Sequence, residues 1–223
     1  DAARDAASAG GYVDRAGGCG CAVTGDREAG AHLALWALIA GLAQTHVSVQ
    51  QLRQYLPKTW SRAAVLIPLV DRPEGLTVLF TQRSAQLTNH PGQVSFPGGR
   101  IEAGDAGAWE AAVREAREEI GLAGDRIRRV GYLHDHLVIS GFVVTPVVAY
   151  VTPGFELQLD RTEVEDTFEA PLEFLLDRAN HVQTTRRIGG QSFTSWDIPW
   201  QGHRIWGATA GMLVSFGELL SDP

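Results

Sequence analysis

Residues 106–121 read A-G-A-W-E-A-A-V-R-E-A-R-E-E-I-G. At 100° per residue, with Trp109 at zero, Val113, Ala116, Ile120 and Ala112 fall within about 60° of it, the i, i+3, i+4, i+7 stripe of an amphipathic helix. Glu118, Glu115 and Glu119 cluster at about 180°, 240° and 280°, with the small Ala111 near 200°. The spacing predicts a helix over 106–120, packed on its apolar stripe and stopped by Gly121, a residue suited to the left-handed C-terminal position. Three glutamates at i, i+3 and i+4 repel one another by a few tenths of a kcal/mol per pair. A solvated face would tolerate that, and Arg114 and Arg117 would soften it. A bound divalent cation would reverse it, because hard cations are held by carboxylate oxygens, water and substrate phosphates.

The segment just upstream favours the cation. In F-P-G-G-R (96–100) Pro97 ends a strand. Gly98 and Gly99 let the backbone turn tightly and approach a ligand. A glycine pair, a turn and then an acid-faced helix favours a bound cation, and an ion held there would bind phosphate oxygens and acidify bound water.

The rest of the chain sets the frame. "AAVLIPLV" (63–70) and "LTVLFTQR" (76–83), joined by D-R-P-E-G, read as a hairpin. A long loop runs from there to Arg100. "IRRVGYLHDHLV" and "FVVTPVVAYV" read as two strands, "EAPLEFLLDRA" as a helix, "HRIW" as a short strand and "GATAGMLVSFGELL" as a final helix. Strands and helices mix without strict βαβ alternation, so the expected fold is α/β (α+β), an α/β/α sandwich on a central mixed sheet. Residues 1–56 form an N-terminal extension, poorly ordered over 1–29 and helical over 30–56. Residues 57–223 form the domain. The apolar run Leu33–Ala43 is too short to span a bilayer, which needs ~20 residues, and reads as a packed or interface helix rather than a signal-peptide core.

Composition removes some functions. The chain has 223 residues, 44% hydrophobic and 20% charged, and a net charge of −7. That balance disfavours a nucleic-acid or decapping module, which needs a basic footprint. Cys19 and Cys21 are too close for a good disulfide and too few for a zinc site. As free thiols they fit a reducing, cytoplasmic setting. No membrane partner is expected.

The run G99-R-I-E-A-G-D-A-G-A-W-E-A-A-V-R-E-A-R-E-E-I-G-L122 resembles the signature of the Nudix hydrolase family: Gly, five residues, Glu, seven residues, then Arg-Glu-hydrophobic-x-Glu-Glu-x-Gly-hydrophobic. Arg114, Glu115, Ala116, Glu118, Glu119, Gly121 and Leu122 match. Gly99 to Arg114 is one residue longer than the pattern, and no Glu occupies its first acidic position; either Asp105 or Glu102 serves there, or the role is absent. The likeness extends over about residues 60–220. The preceding segment, L79-F-T-Q-R-S-A-Q-L-T-N-H-P-G-Q-V-S-F-P-G-G-R100, is similar to the one before the signature in coenzyme A pyrophosphatases. Leu79, Thr81, Arg83, Ser84, Gly92, Phe96, Pro97, Gly98 and Gly99 match; Thr88 replaces a usually basic residue. "IWGATA" (205–210) is similarly placed in those relatives.

The resemblance implies Mg²⁺- or Mn²⁺-dependent hydrolysis of the diphosphate of coenzyme A or its derivatives. It implies Glu115, Glu119 and Gly99 as metal-binding positions, with Glu118 a third carboxylate ligand or the base. Arg114 would orient the glutamates, and Glu163 or Glu165 would be a more distant base. Arg83, Arg100, Gly98, Gly99 and His90 would bind substrate. By analogy the partner is a small nucleotide and the chain a homodimer. Other readings are a Nudix hydrolase of ADP-ribose or a dinucleotide, or a non-catalytic nucleotide sensor. His134 and His136, at strand spacing, lack further metal ligands around them, and Trp196, Trp200 and Trp206 read as core.

Overall fold

The computed structural model describes residues 59–221 apart from 139, 189 and 190. The expectations for residues 1–56, including Leu33–Ala43 and the two cysteines, lie outside the described residues.

β1 (Ser61–Arg72) and β2 (Gly75–Arg83) form the expected hairpin. The long loop is shorter than the sequence suggested, because β3 (Val94–Ser95) and β4 (Gly98–Arg100) return to the sheet. Helix α1 (Ala108–Ile120) follows. β5 (Ile127–Tyr132) and β6 (His136–Val138) split what reads as one strand, leaving His134 outside either. β7 (Phe142–Val151) lies parallel to β1, whereas every other pairing in the large sheet is antiparallel. The order is β3-β2-β1-β7-β5, with β4 on β1, β6 on β7 and β8 (Val164–Pro171) on β2.

"EAPLEFLLDRA" is a helix only in part. Glu169 and Ala170 complete β8, and α2 (Leu172–Leu176) starts after Pro171. Pairing with β2 outweighs local helix propensity here. β9 (Val182–Ile188), β10 (Gln191–Trp200) and β11 (His203–Trp206) make a second, antiparallel sheet, and α3 (Gly207–Ser221) ends the chain.

Successive side chains of a strand point to opposite faces. Leu66, Val70, Leu79 and Val147 pack with Ala112, Ala116 and Ile120 of α1. Ile67, Val78, Phe80 and Val148 pack with Ile198, Ile205, Leu213 and Phe216 of β10, β11 and α3. Both faces are therefore covered, giving the layered α/β/α arrangement. Phe168 bridges the sheets, stacked 5.2 Å from Phe80 and 3.7 Å from His203. Trp196 and Trp200 pack against this core.

Candidate active site

Helix α1 is rotated relative to the expected stripe. Its buried residues are Ala111, Ala112, Ala116, Glu119 and Ile120. That arc is centred about 60° from Trp109, toward the glutamates. The small Ala111, among the glutamates on the helical wheel, is fully buried against the sheet. Glu119 is carried inward and is 4% exposed. Glu118 stays in solvent, its side chain 54% exposed.

The glycine pair fits this rotation. Gly98 takes φ +157°, and a Cβ there would lie 2.6 Å from Val65 Cα. Its N–H donates to Glu119 Oε2 at 3.1 Å. A Cβ on Gly99 would lie 2.5 Å from the Glu115 carboxyl carbon. β4 is anchored on β1 through the pairs Val65–Gly98 and Ala64–Gly99. The turn therefore lies directly against two carboxylates.

Arg114 gathers the acids. Its Nε and Nη2 donate to the two oxygens of Asp105 at 3.1 and 3.0 Å. Nη1 donates to Glu115 at 3.0 Å and Glu118 at 2.8 Å, and Nη2 also reaches the Arg100 carbonyl at 3.0 Å. Asp105, not Glu102, is thus the acid that holds the arginine; Glu102 contributes its N–H to Asp105. The Arg114 hydrogen bonds, with the Glu102 N–H, hold the Asp105 carboxyl below the usual range.

The far wall comes from the segment after β7. Gly121 ends α1 at φ 70°, and Gln158 passes against it, 3.0 Å from where a Cβ would stand. Gln158 N–H donates to the Ile120 carbonyl and Asp160 N–H to the Glu119 carbonyl. This brings Glu163 within electrostatic reach of Glu115 and Glu119. The β2–β8 register slips between Gln82 and Arg83. Such bulges re-aim side chains, and the Arg83 charge acts on Glu119.

Burial pushes the Glu119 carboxyl up to about 8. The Gly98 N–H opposes this, Glu115 and Glu163 add to it, and Arg83 offsets part. Burial also raises Glu115; Arg114 opposes that, while Glu118 and Glu163 reinforce it. Two or three carboxylates in mutual repulsion, one of them buried, form a site short of positive charge. Among the described residues no three acidic, His or Cys side chains already converge as an ion cage. The donor set is nevertheless all hard oxygen, and a divalent cation would relieve the repulsion, so the residues present fit one.

Other expected site residues lie apart from the cluster. His90 sits in an exposed turn at φ 56°, its Nδ1 3.0 Å from Gln93 Oε1. The Arg100 guanidinium stacks over Phe142 at 5.1 Å. Glu165, in β8, lines a separate shallow cleft with Ser84, Ala85, Gln86 and Arg161. Asp160, which sequence reasoning did not single out, ties this segment to α1 through its N–H on the Glu119 carbonyl. Its signal was the D-R-T turn, in which Asp160 caps the N–H and hydroxyl of Thr162.

A mixed sheet covered on both faces, with a carboxylate-bearing helix closed under a Gly-Gly turn, defines a hydrolase of the Nudix type. The family model described as the NUDIX domain matches residues 60–188, more than half of the chain, and the chain belongs to that family. Among curated relatives, the uncharacterized Nudix hydrolase NudL of Citrobacter koseri is 41% identical over 156 residues, covering 68% of this chain and 79% of that protein. The NudL of Escherichia coli is 40% identical over 155 residues, with the same coverage. Among solved structures, a Nudix hydrolase from M. smegmatis, RenU, is 23% identical with a TM-score of 0.45, covering 52% of this chain and 74% of that one. A C. elegans Ap4A hydrolase is 20% identical with a TM-score of 0.43, covering 50% and 80%. No helix among the described residues is long and apolar enough to cross a membrane.

Proposed function

We propose that this Nudix hydrolase cleaves the diphosphate bond of coenzyme A or its derivatives, with Mg²⁺ or Mn²⁺, giving adenosine 3′,5′-bisphosphate and 4′-phosphopantetheine. The observation that carries the reading is the course of residues 79–100, whose sequence resembles coenzyme A pyrophosphatases. This segment leaves β2 at Arg83 and returns as β3 and β4 to set Gly98 and Gly99 against Glu119 and Glu115.

Glu115 and Glu119 are the residues that would hold the ion, with Glu118 and the Gly99 backbone beside them. When bound, the ion neutralises charge developing on the diphosphate and acidifies a water. Arg114 fixes the rotamers of Glu115 and Glu118 through its anchor on Asp105. Arg83, whose charge acts on Glu119, offers a guanidinium fork to the diphosphate. Glu163, whose charge acts on Glu115 and Glu119, would accept a proton from the attacking water; Glu118 is the other acid suited to that role. The partner is a small nucleotide.

Thr88 favours a second reading, since its uncharged hydroxyl replaces a usually basic residue: a Nudix hydrolase of ADP-ribose or a dinucleotide. Chromatography of products from coenzyme A, ADP-ribose and a dinucleoside polyphosphate separates the two. Adenosine 3′,5′-bisphosphate released from coenzyme A supports the first. Turnover of only another nucleotide supports the second. Binding of metal and nucleotide without turnover makes the chain a sensor.

A further inference from the structure

We propose that the cleft lined by Ser84, Ala85, Gln86, Arg161 and Glu165 is a subsite for the part of the substrate beyond the diphosphate, and that Arg161 reads a phosphomonoester carried there. The cleft holds about 170 Å³. It is distinct from the carboxylate cluster but tied through the backbone to the segment that carries Glu163. Ser84 follows Arg83 in the chain, and its N–H donates to the Glu163 carbonyl at 2.8 Å. Arg161 stands two residues before that same Glu163.

The turn that carries Arg161 is fixed before any ligand arrives. Asp160 accepts from Thr162 N–H at 2.9 Å and from the Thr162 hydroxyl at 2.7 Å. Its own N–H is tied to the Glu119 carbonyl at 2.9 Å, and its carbonyl accepts from Glu163 N–H at 3.0 Å and Val164 N–H at 2.8 Å. A preorganised charge loses less entropy on binding.

Arg161 also has no carboxylate partner among the described residues. Its one partner among the described residues is the Glu165 backbone carbonyl. The other arginines near the site are differently placed. Arg114 is engaged by Asp105, Glu115 and Glu118. Arg100 stacks over Phe142. Arg83 acts on Glu119, at the diphosphate end. A guanidinium fork matches phosphate oxygens in two parallel hydrogen bonds, and the Ser84 hydroxyl and Gln86 amide supply further polar edges.

The proposal rests on the coenzyme A reading, because the 3′-phosphate is that substrate's phosphomonoester. The test is steady-state kinetics of the full chain with Mg²⁺ on coenzyme A and on 3′-dephospho-coenzyme A. The wild type is expected to prefer coenzyme A. Arg161→Ala is expected to shrink the ratio of the two kcat/KM values by about 10- to 100-fold, the effect of a charge-assisted hydrogen bond, chiefly through KM. Arg161→Lys should restore part of the ratio. If the wild type cleaves both forms equally, or Arg161→Ala lowers both by the same factor, the subsite is overturned while the coenzyme A reading stands. If the wild type cleaves neither form, the coenzyme A reading fails and the subsite fails with it.

Discussion

The Glu115 carboxylate fills the space that a side chain on Gly99 would occupy, its carboxyl carbon 2.5 Å from the position of a Cβ. Gly99→Ala should therefore displace Glu115. Overpacking of this kind costs about 1–3 kcal/mol. The expected result is a lower Tm together with a larger fall in metal affinity, read by differential scanning calorimetry and by titration calorimetry with Mn²⁺. A full-affinity Gly99→Ala protein would detach Gly99 from the site.

Asp105 holds Arg114 through both carboxylate oxygens. Asp105→Ala frees the arginine that orients Glu115 and Glu118. Loss of a charge-assisted pair of this kind predicts a fall in kcat of at least about tenfold, with KM changing less. Arg114→Lys should lower the rate similarly, because an ammonium lacks the planar fork. Equal kinetics for Asp105→Ala and wild type would contradict the orienting role.

The buried Glu119 carboxyl, raised to about 8, makes the metal-free protein pH-sensitive. The folded state holds a proton there that the unfolded chain releases at the ordinary carboxylate range. Stability is fully present below that range and falls as pH rises through about 8. Thermal melts of metal-free protein between pH 5 and pH 9 should show this decline, flattened in Glu119→Gln. Adding Mg²⁺ or Mn²⁺ at high pH should raise Tm in the wild type more than in the variant. A pH-independent Tm in the metal-free protein would refute it.

Gly121 combines φ 70° with the close passage of Gln158. Gly121→Ala should destabilise by about 1–2 kcal/mol, since both the left-handed backbone and the 158–163 segment resist a side chain. Denaturant unfolding measures this directly. An unchanged midpoint would show that the segment moves aside without cost.

The helix, its C-terminal glycine, the hairpin and the last helix were legible in the sequence because each has a local signal: a 3.6-residue period, an αL glycine, a Pro/Gly turn. The rotation of α1 was not. Alanines let either side of a helix approach a sheet, so Ala111 and Glu119 could be assigned to the buried side only once β4 was in place. The 169–179 stretch misled because its helix propensity is local, whereas the pairing of β8 with β2 joins residues far apart in sequence. Glu163 and Glu165 look alike in the chain; they differ in the fold, where the Glu163 charge acts on Glu115 and Glu119 while Glu165 lines the cleft with Arg161. Asp105 was one of two acids that could stand for the missing glutamate, and the fork of Arg114 distinguishes them.

The most direct measurement is release of adenosine 3′,5′-bisphosphate from coenzyme A by wild type and Glu119→Gln, each with and without Mg²⁺ or Mn²⁺. The account predicts metal-dependent release by the wild type and a loss of at least about 100-fold in kcat in the variant. Metal-independent release, or equal release by Glu119→Gln, would contradict the placement of the ion among these glutamates.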